Sequence, residues 1–198
     1  MDSSTPAVRA PVGPLEAEAA AFAAAACAGQ MRSGRRSIPV TAHFEEVAAL
    51  MALAGASDSE RAAGRLHDVV EDSSVTLAEI RERFGPEVAA IVDGMTDPPE
   101  FAGMPLLERK TLQAERIRSK PDAVKRGKIA DQTSNLRSLA VDPPTGWPPE
   151  KCRAYAEGAL RIVSACRGAS PVLEALFDEA HAEVARVHGP FRPADNVQ

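Results

Sequence analysis

Apolar residues in this chain recur at intervals of three and four, in blocks parted by turns bearing Pro and Gly, and no segment shows the clear period-two alternation of a half-buried strand. In the Ala-rich stretch "EAEAAAFAAAACAG", Leu15, Ala19, Phe22 and Ala26 recur near helical spacing. "HFEEVAALMALAG" puts Val47, Leu50 and Met51 on one face and stops at Gly55. The next helix is predicted from about Ser59 to Val70. "SSVTLAEIRERFG" offers a Thr cap, Glu79 three residues on and a closing Gly85, and residues 86 to 96 are helical in turn. "TDPPEFAGMP" breaks that run, since its three Pro and one Gly do not continue a helix. Helices follow at about 105–118, 121–140, 149–167 and 171–187, separated by turns such as "VDPPTGWPP". With no internal repeat, the pattern predicts an all-α, compact, multi-helix bundle.

A chain of 198 residues is long enough for one well-buried domain. Residues 1–12, rich in Ser, Pro and Ala, and residues 189–198, with two Pro and little to pack, read as mobile ends around a domain at 13–188. Hydrophobic residues at 44% and charged ones at 26% fit a folded globular protein. The net charge of -5 argues against general attraction to a nucleic acid polymer or an anionic membrane, so any phosphate binding is local. No apolar run approaches the roughly 20 residues of a spanning helix. The Ala-rich stretch lacks the basic start of a signal peptide. Cys27, Cys152 and Cys166 are odd in number and without CxxC spacing, which predicts reduced thiols and a cytoplasmic setting. Oligomeric state is not legible at this level.

Chemistry concentrates in "GRLHDVVEDSS", residues 64–74. On a continuous helix Glu71 lies four residues after His67 and Asp72 four after Asp68, so the four groups share one broad face. Carboxylates this close raise one another's energy, and a bound cation offsets that repulsion. A solvated acidic helix face is the alternative. Of the other histidines, His181 and His188 fall in a charged terminal helix and read as surface residues, while His43 precedes an amphipathic helix. Asp131 lies in "KRGKIADQTSNLRSL", with Ile129, Leu136 and Leu139 available for the core.

"LHDVVEDSSVTLAEIRERFG", followed by "MTD", "LLERKTLQAE", "KIADQTSNLRSL" and "GWPPEKCRAYAEGA", resembles the hydrolase domain of the RelA/SpoT homologue superfamily, above all its small stand-alone Mesh-type alarmone hydrolases. The likeness covers roughly residues 15 to 180. It implies an HD-domain bundle and a metal site of His43, His67, Asp68 and Asp131. Two imidazoles and two carboxylates suit Mn²⁺, Fe²⁺ or Zn²⁺; the resemblance implies Mn²⁺. Glu71 and Asp72 match the pair with which the family handles the attacking water.

The substrate so implied is the alarmone (p)ppGpp, whose 3′-pyrophosphate is hydrolysed to leave GDP or GTP and pyrophosphate. Arg32 matches an Arg that packs on the base through its flat guanidinium. Lys128 and Asn135 flank Asp131 at family positions, and Tyr155 matches a Tyr near the nucleotide. The chain departs from the family at Ser33, where a Lys is usual, at Phe44, which replaces a Pro, at Cys27, often a His, and after "TD", where a Lys is often found. These departures remove no ligand; they bear on phosphate grip and nucleotide preference. Larger members add a synthetase domain for which no residues remain here, so alarmone breakdown without synthesis, damping the stringent response, is expected. Alternatives are (p)ppApp or the 2′-phosphate of NADPH as substrate, or a non-catalytic alarmone sensor. Intact Glu71 and Asp72 speak against the sensor, and a purely structural module leaves the His and Asp set unexplained.

Overall fold

Three helices begin with Pro at their first position, where the missing N–H costs no hydrogen bond: α1 (Pro14–Ala26), α8 (Pro149–Cys166) and α9 (Pro171–His188). Two others begin with a capping box. Ser57 and Glu60 exchange bonds at α3 (Asp58–Leu66), and Thr76 and Glu79 at the start of α5 (Leu77–Met95), the latter as the sequence predicts. The computed structural model describes residues 11–191, so the outer parts of both predicted mobile ends lie outside the described residues. Between these helices run α2 (Val40–Leu53), the four-residue α4 (Val69–Asp72), α6 (Leu106–Ile117) and α7 (Asp122–Val141), with a 3₁₀ turn at Pro99–Phe101. Among the described residues there is no strand, only an isolated bridge between Met31 and Pro39.

Helix α5 is two pieces. Gly85, at φ 87°, takes a conformation that L side chains avoid, and Pro86 starts the second piece, as the closing Gly of the sequence pattern anticipates. The long α7 packs against α2, α5, α8 and α9 and buries Ile129, Leu136 and Leu139. Phe44, Met51, Leu66, Ile162, Leu173 and Phe177 fill the space around it. Glu16 is buried in α1 and accepts from Arg65 Nη2 at 2.9 Å, with Arg61 Nε at 3.3 Å, which clamps α1 to α3.

Three sequence expectations are corrected. The helix predicted through His67 to Val70 ends at Leu66, and α4 starts afresh at Val69. The N–H of Glu71 donates to the carbonyl of Asp68 at 3.1 Å, while the His67 carbonyl accepts from the Thr96 hydroxyl at 3.4 Å. The register slips by one residue there, with Asp68 at φ −96°, ψ −7°, outside the helical centre. Second, His43 lies inside α2, which starts at Val40. Third, His181 and His188 are half-buried: His181 stacks on Phe191 with centroids 4.2 Å apart, and His188 Nε2 lies 2.9 Å from the Leu139 carbonyl.

Candidate metal centre and nucleotide cleft

His67, at the break after α3, places Nδ1 2.9 Å from the Gly64 carbonyl. A carbonyl only accepts, so Nδ1 carries the hydrogen and Nε2 of the neutral ring presents a lone pair. His43, from the first turn of α2, places Nδ1 2.8 Å from Ser134 Oγ. That hydroxyl donates to Glu46 Oε2 at 2.6 Å, so its lone pair is what faces the ring, and His43 is assigned the same tautomer. The two Nε2 atoms lie 3.2 Å apart. Two lone pairs held that close repel, and either a proton on one ring or a metal ion beside both relieves the repulsion.

Carboxylate oxygens converge on the same point. Asp68 Oδ1 is 3.1 Å from His67 Nε2, Asp68 Oδ2 is 3.6 Å from His43 Nε2, and Asp131 Oδ1 is 3.4 Å and 3.8 Å from the His43 and His67 nitrogens. Burial opposes charge on His67, but attraction to Asp68 and bonding to Asp131 and Asp68 outweigh it and raise its pKa to about 10. Burial also opposes charge on Asp131, yet Lys128 and the two imidazoles hold its carboxyl well below the usual range. The field favours positive charge at this spot. His43, His67 and Asp68 form a group able to hold a divalent metal, and their ligand atoms, 3.1 to 3.6 Å apart, are close enough for one ion with bonds of about 2.0–2.2 Å to touch all three.

Asp131 is held from both sides. Asn135 Nδ2 donates to its Oδ1 at 2.6 Å, and Gln132 Nε2 donates to its Oδ2 at 2.7 Å. Gln132 in turn accepts from Lys110 Nζ at 2.8 Å, and Lys110 lies 4.2 Å from the Tyr155 ring centroid. Burial pushes the Lys110 ammonium down to about 7. Lys128 donates to the Met95 carbonyl at 3.0 Å and lies 3.4 Å from Asp131 Oδ2. Arg32 Nη2 donates to Asn135 Oδ1 at 2.9 Å, which joins it to the ligand set through one amide. The loop that carries Arg32 is fixed by Asp142, whose oxygens accept from the N–H groups of Arg35 and Arg36 at 2.9 Å and 3.1 Å.

Three cavities surround this centre. One of about 290 Å³ is lined by Arg32, Ser33, His43, Phe44, Asp68 and Asp72. A second, about 250 Å³, lies among Arg32, Arg109, Asn135, Trp147 and Tyr155. The third, about 590 Å³, is lined by Glu71, Thr96, Asp97, Phe101, Arg109 and Arg116. Glu71 lines the third cavity and Asp72 the first, and both carboxylates lie near Asp68. Glu71 Oε1 accepts the Asp97 N–H at 2.7 Å. Loss of water around its carboxyl, with Asp68 nearby, raises Glu71 to about 6; the same causes raise Asp72.

The structure therefore brings His43, His67, Asp68 and Asp131 together, with Arg32 and Asn135 bonded alongside. Glu46, Ser134, Gln132, Lys110 and Arg109 escaped the sequence reading. Ser134 and Asn135 sit three and four residues after Asp131, on its own helical face, which is the one signal that could have found Ser134.

An HD-domain family model matches residues 19–162. The chain belongs to the HD-domain family. Within that family it is similar to the guanosine-3′,5′-bis(diphosphate) 3′-pyrophosphohydrolase MESH1 of Drosophila melanogaster, at 33% identity over 152 residues, 76% of this chain and 83% of the relative. The Homo sapiens MESH1 is 36% identical over 159 residues, 79% and 87% of the two chains. A solved structure of a metazoan SpoT orthologue, described as hydrolysing ppGpp and acting in starvation responses, superposes on this HD-domain chain with a TM-score of 0.79 at 30% identity, covering 86% of it and 96% of the orthologue. No helix among the described residues is long and apolar enough to cross a membrane.

Proposed function

We propose that this HD-domain protein hydrolyses the 3′-pyrophosphate of (p)ppGpp, releasing pyrophosphate and GDP or GTP and so damping the stringent response in the cytoplasm. The observation that carries the reading is the pair of facing imidazole nitrogens with Asp68 and Asp131 around them, in a chain whose MESH1 relatives are named for this reaction. A divalent ion held by His43, His67, Asp68 and Asp131, Mn²⁺ on this reading with Fe²⁺ or Zn²⁺ compatible, supplies the Lewis acidity that makes water a nucleophile near neutral pH.

The chain's own groups do the rest. Glu71, with a carboxyl raised toward neutrality, takes a proton from the attacking water. As water oxygen bonds to phosphorus, the bond from phosphorus to the ribose 3′-oxygen breaks and that oxygen takes up a proton. Asp72, from the other cavity, orients the water. Arg32 lays its guanidinium along the base while Asn135 holds it, and Tyr155 and Trp147 wall the nucleoside cavity. Lys128 sits behind Asp131 and balances its charge. No polymeric nucleic acid or membrane enters this scheme.

The test is incubation with Mn²⁺ and a panel of ppGpp, pppGpp, ppApp and NADPH, with products separated by chromatography. Pyrophosphate release from ppGpp or pppGpp is the expected result. Binding without turnover of any member would replace the hydrolase with a sensor, and turnover confined to ppApp or NADPH would reassign the substrate.

A further inference from the structure

Four cations around the cleft each donate at least one side-chain N–H to the protein. Arg32 donates to Asn135, Lys110 to Gln132, Lys128 to the Met95 carbonyl, and Arg116 to the carbonyls of Thr96 and Asp93. Arg109 differs. Its side chain has no hydrogen-bond or ion-pair partner among the described residues, and its Nε is shut off from water with no acceptor. It also occupies a singular position, since it lines both the 250 Å³ nucleoside cavity and the 590 Å³ cavity beside Glu71. A guanidinium N–H withdrawn from water without an acceptor is costly, and an anion placed against the fork relieves that cost.

The nucleoside cavity has two ways out. Past Arg32 and Ser33 it adjoins the cavity of His43, Asp68 and Asp72; past Arg109 it adjoins the larger one. The larger cavity is also lined by Glu71, Asp93 and Asp97, of which Asp97 accepts from Gln113 and Glu71 from the Asp97 N–H, and Arg109 is the cation that it shares with the nucleoside cavity. A planar guanidinium offers two parallel donors to phosphate oxygens.

We propose that Arg109 binds the 5′-phosphate chain of the nucleotide, the end opposite the scissile 3′-pyrophosphate, and so selects substrates phosphorylated at both ends. The proposal rests on the reading that the cleft takes a nucleoside carrying phosphates at both positions. It makes Arg109 a binding and specificity residue with no part in bond cleavage.

GDP is the discriminating probe, because it carries the 5′-diphosphate and nothing at the 3′ position, so its binding does not depend on hydrolysis. Calorimetry of wild type, Arg109→Met and Arg109→Lys with GDP and with guanosine gives the ratio of the two dissociation constants in each protein. Wild type is expected to favour GDP by about tenfold or more. Arg109→Met should bring the ratio close to one with guanosine binding within about twofold of wild type, and Arg109→Lys should fall between. An unchanged ratio in Arg109→Met overturns the proposal, as does equal binding of the two ligands, or no GDP binding, by wild type. Thermal melting identifies a variant that has not folded, in which case Arg109→Lys and Arg109→Gln supply the ratio. Absence of ppGpp turnover with the GDP ratio behaving as described would overturn the hydrolase reading alone.

Discussion

The Nε2 atoms of His43 and His67 face each other across 3.2 Å, with both Nδ1 hydrogens committed to acceptors behind the rings. A metal held at this point binds the folded chain and not the unfolded one, so metal binding and fold stability are linked. A metal present at a hundredfold its dissociation constant stabilises by about 2.7 kcal/mol. Chelation should therefore lower the melting temperature by about 5–10 °C at this chain length. His67→Ala should bind no ion by elemental analysis and show no shift on chelation; full occupancy in that variant would refute the ligand assignment.

Ser134 aligns His43 from behind, by accepting from Nδ1 while donating to Glu46. Ser134→Ala leaves a buried ring N–H unpaired, at a cost of about 1–3 kcal/mol. Metal affinity should fall by about 10- to 100-fold, as for other groups that orient a ligand from behind. Titration with Mn²⁺ followed by calorimetry measures it, and an unaltered affinity would show that Ser134 does not orient the ring.

Glu71 must be ionised to accept a proton. Its carboxyl is raised to about 6 by loss of surrounding water, and a cation at the neighbouring ligands pulls it down. The rising limb of kcat against pH should therefore lie at or below about 6, with activity lost as the pH falls through it. Glu71→Gln should abolish that limb and lower kcat by about a hundredfold or more while retaining metal. A pH profile unchanged in shape in the variant would remove Glu71 from the proton path.

Gly64 lets α3 approach α2 closely: a Cβ there would lie 2.8 Å from Met51 Sδ and 3.4 Å from a Val47 methyl. Its carbonyl also fixes the His67 ring. Gly64→Ala should cost about 1–3 kcal/mol by overpacking and, by pushing α3 from α2, weaken metal binding as well. Denaturant melts and metal titration read the two effects; loss of stability with intact affinity would show that Met51 yields and the rings do not move.

The helices after residue 76 were legible almost to the residue because Pro, Gly and the Thr76–Glu79 box mark their ends in local chemistry. The break at His67 and Asp68 was not, since apolar spacing runs on through it and the cause is tertiary, namely a ring bonded to Gly64 and a carbonyl taken by Thr96. The residues His43, His67, Asp68 and Asp131 stood out by type and by family blocks. Glu46, Gln132 and Lys110 did not, because in sequence they are ordinary polar residues of amphipathic helices, and only packing turns their side chains inward. His181 misled the reading for the converse reason: charged neighbours in sequence concealed a ring stacked between Phe177 and Phe191.

Within two turns of α7 lie Asp131, whose oxygens accept from Gln132 and Asn135, and Lys128, Gln132, Ser134 and Asn135, which reach in turn the Met95 carbonyl, Lys110, His43 and Arg32. On the proposed reading, grip on the ion and grip on the base are geared to a single rod. A roll of that helix by a few degrees shifts both together, so neither is retuned alone, and a substitution that loosens the rod far from the cleft, such as at Leu136 against the core, would register first as a joint drift in metal and nucleotide affinity.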